Sequence, residues 1–241
     1  MNVARTTIVL LPGLDGTGSL FAPFVAALGP GYEAVVVAYP AEGALAYDAL
    51  EQCARAQLPL GRPYFLLGES FSGPIAIAIA ASRPEGLIGL LLSCTFASNP
   101  HPYCAPFKTL VSILPVKSEA AGAMMMPFLF GRFGSAQARS ALRQSLQNVA
   151  AGALRERVRC VLEVDYTARF AALRLPILYL QAAGDRIVFA RCGARLARLA
   201  PAMTLVALDG PHLLLQALPV EAAHAVGQFI GRVLESRSGP P

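Results

Sequence analysis

A chain of 241 residues is long enough for one sizeable domain with a large core, with or without an insertion. Hydrophobic residues make up 55% and charged residues 15%, the balance of a globular α/β protein with strands buried on both faces. The net charge of +5 rests on 18 arginines and two lysines, spread along the chain without interleaved aromatic residues, which argues against a nucleic-acid partner.

From the N-terminus, Thr6 to Leu11 is a β-branched apolar run, read as the first strand. It ends in the glycine-rich loop Pro12-Gly13-Leu14-Asp15-Gly16-Thr17-Gly18. Leu20, Phe21, Phe24, Val25 and Leu28 then recur at helical spacing. Ala34 to Ala38 reads as a second, fully apolar strand, Ala44 to Leu58 as a helix, and Tyr64 to Leu67 as a third strand. Ile75 to Ala80 alternates isoleucine and alanine, but both are apolar, so the period decides little. Pro74 before it and Arg83-Pro84 after it bracket a helix-length segment, and a buried helix under the sheet is predicted. Leu87 to Leu92 is the fourth strand. This alternation predicts an α/β fold with a mostly parallel, doubly wound sheet of about six strands and helices on both faces.

The alternation breaks after Ser93. Over 95–167 no convincing strand is legible. Pro100, Pro102 and Pro106 lead into helix-like pieces, among them Met124 to Phe130 and the arginine-bearing run from Gln137 to Arg159. We read 95–167 as an inserted helical lid, with 1–94 and 168–241 as the core. The sheet pattern resumes with Pro176 to Gln181, followed by a loop ending Gly184-Asp185 and a helix around Ala190 to Leu199. Then come a last strand, Met203 to Leu208, the loop Asp209-Gly210-Pro211-His212, and a final helix of about Leu218 to Leu234. The end from Ser236 to Pro241 is expected to fray.

No uninterrupted apolar stretch reaches membrane-spanning length. The opening Met1 to Arg5 runs straight into the first strand, without the apolar region and cleavage site of a signal peptide. Five cysteines, odd in number and without a C-x-x-C pair, predict reduced, mostly buried thiols and a cytoplasmic protein. Three scattered histidines give little support to a zinc site.

The chemistry centres on Leu66-Leu67-Gly68-Glu69-Ser70-Phe71-Ser72-Gly73-Pro74. An apolar strand ending in a serine among small residues, with a second apolar run after it, is the sequence form of a sharp strand-to-helix turn. Such a turn lifts the Ser70 hydroxyl off the sheet edge. The positions two before and two after it must be small, and Gly68 and Ser72 fill them. Ser72 stands where glycine is usual, and a positive φ there would cost it more than glycine. As a rival nucleophile Ser72 is the poorer choice, because Pro74 suits the first turn of a helix. By itself the motif also fits an ordinary strand-to-helix turn.

A serine nucleophile needs a base, and the base an orienting acid. In parallel sheets functional loops lie at the carboxyl ends of the strands, where Ser70, Asp185 and His212 fall in that order. His101 precedes the acid and sits between prolines, and His224 lies within the final helix among alanines. Asp209 can cap its own turn, Asp165 is expected to face solvent, and Ser93-Cys94-Thr95 offers no acid.

This constellation resembles the α/β-hydrolases, over nearly all of the chain outside the lid. The resemblance implies Ser70 as nucleophile, Asp185 as acid and His212 as base, with the backbone N–H groups of Leu14 and Phe71 as oxyanion hole. The loop Pro12 to Gly16 is similar to the family's His-Gly-x-x-Gly loop, with proline for histidine. The implied reaction is ester hydrolysis through an acyl-enzyme, without metal or cofactor. A serine nucleophile argues against the family's aspartate-dependent dehalogenases and epoxide hydrolases.

Met124, Met125, Met126, Phe128 and Phe130 offer apolar surface for a short- to medium-chain acyl group, or pack the lid onto the body. Arg139, Arg143, Arg155, Arg157 and Arg159 make the lid's second half basic. That is a solvated face, or a docking surface for an acidic acyl-carrier protein, as in the pimeloyl-carrier methyl esterases that this chain resembles in size and lid position. The other readings are a thioesterase, an acyltransferase, and a non-catalytic binding protein of the same fold.

Overall fold

Six strands make one sheet: β1 (Thr6–Leu11), β2 (Tyr32–Val36), β3 (Tyr64–Glu69), β4 (Leu87–Ser93), β5 (Ile177–Ala182) and β6 (Thr204–Leu208). The computed structural model describes residues 5–238. Every neighbouring pair is parallel, and the order across the sheet is β2-β1-β3-β4-β5-β6. The strand order reverses direction beside β1 and β3, so the carboxyl ends of these strands border a crevice where a ligand can sit.

Side chains alternate across the central strands and fill two cores. Val9, Leu11, Tyr64, Leu66, Leu90, Leu92 and Tyr179 face one layer, with helices α2 (Tyr47–Arg55), α3 (Gly73–Ala81) and α8 (Ala190–Leu199). Ile8, Leu10, Phe65, Leu67, Leu91, Leu178 and Leu180 face the other, with α1 (Ala22–Leu28), α9 (Leu214–Ala217) and α10 (Pro219–Ser238). The Ile/Ala segment is helical, as predicted, and every residue of α3 from Gly73 to Ala80 is buried. An evenly apolar helix of this kind belongs inside the fold.

Between β4 and β5 the chain is helical. A 3-10 segment (Pro102–Ile113) precedes α4 (Glu119–Phe130), α5 (Ala136–Gln147), α6 (Ala151–Glu163) and α7 (Thr167–Ala171). The two ends of this segment meet at an isolated antiparallel bridge, Ser98 to Asp165. Ser118 and Ser135 cap α4 and α5, each accepting from the backbone N–H three residues on.

Some boundaries differ from those expected. β2 begins at Tyr32, two residues before the expected start, because its register is set by β1 through Thr6 and Tyr32. It is the edge strand beside β1 and is half-buried, although its residues are largely apolar. α2 is shorter than expected, and α10 runs through Ser238, a turn past Leu234. Of the end expected to fray, residues 236–238 belong to this helix, and 239–241 lie outside the described residues. Among the described residues, no helix is long and apolar enough to cross a membrane. Cys94 and Cys160 are buried, Cys53 and Cys192 half-buried and Cys104 exposed, all as free thiols.

Candidate active site

β3 runs without break into a single 3-10 turn, Ser70–Ser72, and then into α3. Ser70 sits at the apex with φ +47°, a left-handed conformation that L side chains rarely adopt. The strain expected at Ser72 is thus carried by Ser70, while Ser72 has an ordinary φ of −85°. Glycine is required on both sides of the turn. A Cβ on Gly68 would lie 2.8 Å from both the Ala76 Cβ and the Ser72 carbonyl oxygen. One on Gly73 would lie 1.9 Å from the Thr95 hydroxyl. Thr95, two residues past the end of β4, donates that hydroxyl to the Ser70 carbonyl, and Tyr179 of β5 donates to the Thr95 carbonyl at 2.8 Å.

Ser70 Oγ lies 2.8 Å from His212 Nε2, and His212 Nδ1 lies 2.8 Å from Asp185 Oδ2. Asp185 Oδ1 accepts from the backbone N–H groups of Ile187 and Val188, each at 2.8 Å. A carboxylate can only accept, so Nδ1 carries the imidazole proton and Nε2 is left to accept from the serine. Both side chains are nearly sealed from solvent, His212 4% and Asp185 2% exposed. The structure therefore joins three residues that lie far apart in sequence.

The rival residues stand outside this line of contacts. Exposed Asp209 pairs with Arg132 at 2.6 Å. Exposed Asp165 accepts from the Thr167 amide and hydroxyl at the start of α7, and these bonds lower its pKa. His224 is on the surface of α10 beside Gln228. His101 borders the cavity described below, its ring edge-on to Phe189 at 5.7 Å.

Leu14 and Phe71 both border the same cavity. Among the described residues, the Leu14 N–H has no acceptor in the loop hydrogen bonds around it. Tyr47 donates to the Phe71 carbonyl at 3.0 Å and stacks on the Phe71 ring at 4.8 Å, fixing that residue from behind. Ser72, read from sequence as a small residue only, donates its hydroxyl to the Pro12 carbonyl and accepts from the Tyr39 hydroxyl at 2.8 Å. It thereby ties the turn after β3 to the loop after β1.

Asp15 anchors the other side of that loop, accepting from Thr17 and from Ser145 Oγ of α5 at 2.6 Å. Arg157 of α6 donates to the carbonyls of Leu14, Asp15 and Pro40. This corrects its place on a solvated basic face, since it is only 2% exposed. Arg159 pairs with Glu156 and Glu163, Arg155 donates to the Leu114 carbonyl and Arg139 to the Gly134 carbonyl. Arg143 is exposed.

Glu69, directly before Ser70, is 3% exposed. Burial pushes its carboxyl up to about 7, against the Gln216 side-chain amide that donates to it at 3.0 Å. The signal in the sequence was a carboxylate at the end of an otherwise apolar strand. Arg157 and Ser145 gave no such signal, because nothing local tells which face of an amphipathic helix meets a distant loop.

A cavity of about 510 Å³ opens over Ser70 and His212. Met124, Met125, Met126 and Leu129 of α4 line it, together with Leu154, Val158, Val161 and Leu162 of α6. Phe128 and Phe130, expected with the methionines, do not line it. Phe128 is 41% exposed, and Phe130 is buried behind the lining, in a cluster with Leu20, Leu142 and Leu213. Among the described residues, no group of three or more His, Cys, Asp or Glu could hold a metal ion.

A model of the Alpha/beta hydrolase family matches residues 8–226, and the chain belongs to that family. It is 30% identical over 134 residues to phytyl ester synthase 1, chloroplastic, of Arabidopsis thaliana, covering 52% of this chain. It is 34% identical over 110 residues, 39% of this chain, to a Rhizobium rhizogenes protein carrying the name carbamate hydrolase RutD. These matches span 19% and 40% of the curated relatives' own lengths. Among solved structures, the enol-lactonase of Burkholderia xenovorans superposes with a TM-score of 0.81 at 18% identity, over 95% of this chain and 92% of that one, a likeness of fold.

Proposed function

We propose that this chain is a serine hydrolase that cleaves carboxylic esters through an acyl-enzyme on Ser70. The observation that carries the reading is the line Ser70 Oγ, His212, Asp185, with both contacts at 2.8 Å. His212 Nε2 takes the Ser70 proton as Oγ attacks the ester carbonyl. The resulting imidazolium is stabilised by Asp185. The oxyanion is held by the amides of Leu14 and Phe71, and collapse of the tetrahedral intermediate expels the alkoxide, which takes the proton from His212. Water then attacks the acyl-enzyme, giving its proton to His212, and Ser70 recovers that proton as the acid leaves.

The apolar lining of the cavity supports an acyl group of short to medium length, and the helical segment 95–167 acts as a lid over it. A fluorophosphonate probe tests the chemistry: wild type should be labelled and Ser70→Ala should not. An unlabelled wild type, or equal labelling of both, overturns the reading. A series of p-nitrophenyl esters from acetate to palmitate then reads the acyl length.

Transfer of the acyl group to an alcohol is the second reading, favoured by the similarity to a protein named as an ester synthase. The same acyl-enzyme would be captured by a hydroxyl other than that of water. Product analysis with a long-chain alcohol present separates the two, by ester formation against free acid. Of the lid arginines, Arg157 is committed to backbone carbonyls and Arg159 to carboxylates, which leaves a carrier-protein partner fewer free cations than the sequence offers.

A further inference from the structure

The guanidinium of Arg157 is sealed inside the protein, yet its hydrogen bonds go to backbone and not to a carboxylate. Nη1 donates to the carbonyls of Leu14 at 3.0 Å and Asp15 at 2.7 Å, and Nη2 to that of Pro40 at 2.9 Å. A buried charge is costly unless its donors are used, and here one planar fork bridges two loops. The loop after β1 is shaped to receive it. Gly16 has φ +70°, and a Cβ there would lie 2.4 Å from Arg157 Nη1.

The consequence falls on Leu14. Its N–H belongs to the same rigid, planar peptide unit as the Gly13 carbonyl, which accepts from the Gly16 N–H at 3.0 Å. The next peptide unit carries the Leu14 carbonyl, held by Arg157. Leu14 therefore lies between two pinned planes, and the direction of its N–H follows. Ser145 holds Asp15, the next residue, from α5.

We propose that Arg157 is a positioning residue for the oxyanion loop: from the helical segment between β4 and β5 it fixes the peptide planes that aim the Leu14 N–H. This rests on the serine-hydrolase reading. It also gives that segment a part in the chemistry beyond covering the cavity.

The test compares wild type, Arg157→Lys and Ser145→Ala, each checked for folding by circular dichroism and thermal melting. Lysine keeps the charge, but its single nitrogen cannot span the three carbonyls. Hydrolysis of p-nitrophenyl butyrate by Arg157→Lys should fall about tenfold or more in kcat, with KM within about twofold, because an oxyanion donor acts on the transition state. Affinity for butylboronic acid, which mimics the tetrahedral intermediate on Ser70, should fall by the same factor. Binding of butyramide, a ground-state mimic, should hold.

A folded Arg157→Lys with wild-type kcat and boronate affinity overturns the proposal, as does a loss confined to KM. If Arg157→Lys does not fold, Ser145→Ala carries the test. It should lower kcat and boronate affinity together by about threefold or more, and unchanged values overturn the proposal. Fluorophosphonate labelling of wild type separates the two claims. A labelled wild type with an unaffected Arg157→Lys removes the positioning role alone, whereas an unlabelled wild type removes both.

Discussion

Ser70 is held where a serine would not rest by itself. A left-handed φ costs a non-glycine residue on the order of 1–3 kcal/mol, and it persists only when the surroundings over-determine it. Here they do: Thr95 holds the Ser70 carbonyl, Tyr47 holds that of Phe71, and two glycines leave the space. Gly73→Ala should therefore lower stability by about 1–3 kcal/mol in urea denaturation, because its Cβ must displace Thr95. On the proposed function, hydrolysis of p-nitrophenyl acetate by the folded variant should fall as well, since Thr95 is the anchor of Ser70. A variant as stable and active as wild type would mean that Thr95 can turn aside.

At this scale the sequence was readable in part. Small residues around Ser70 were visible as a pattern, but which of them needed to be glycine was not. Gly73 is fixed by Thr95, more than twenty residues away, and the role of Ser72 depends on Pro12 and Tyr39.

Among the elements, α4 shows how helical spacing divides one apolar run between two tasks. Met124, Met125, Met126 and Leu129 border the cavity, while Met126 and Phe130 also pack with Leu20 and Leu213 at its wall. Phe128 falls on the outer side. An apolar count over 124–130 cannot make that division without knowing what lies on either side of the helix. Met125→Trp should fill part of the cavity, leaving kcat/KM for p-nitrophenyl acetate within about threefold and lowering that for the octanoate by about tenfold or more. Equal effects on both esters would place Met125 away from the acyl path.

α3 and the interior strands were legible for the opposite reason. They are apolar on every side, which places them in the interior, and Pro74 and Pro84 bracket α3 as a helix. The edge strand β2 was placed less well, since half of its environment is solvent and its register is dictated by β1.

Over the whole molecule, Glu69 sets a pH dependence of stability. Its carboxyl titrates near 7 in the folded state against an ordinary 4.5, chiefly because burial disfavours the charged form. The folded state then holds more protons than the unfolded one between those values. Stability should be greatest below about 4.5 on this account and fall as pH rises through about 7, by about 3 kcal/mol in total. Glu69→Gln keeps an acceptor for Gln216 and removes the titration. Its denaturation midpoint should rise relative to wild type above pH 7 and match it at pH 4.5, and parallel curves for the two proteins would assign the pH dependence to other groups.

The sequence by itself determined the parallel α/β architecture, the order of its strands along the chain and the turn that carries Ser70. Those features follow from apolar periodicity and from steric limits on a few adjacent residues. It also put Ser70, Asp185 and His212 at the carboxyl ends of strands, but not within 2.8 Å of one another. Only the tertiary structure decided that the helical segment between β4 and β5 reaches into the loop after β1, and that Arg157 is buried there. The reason is physical. A local pattern fixes which residues share a face, whereas a hydrogen bond across 142 positions, as from Arg157 to Asp15, depends on how every intervening element packs.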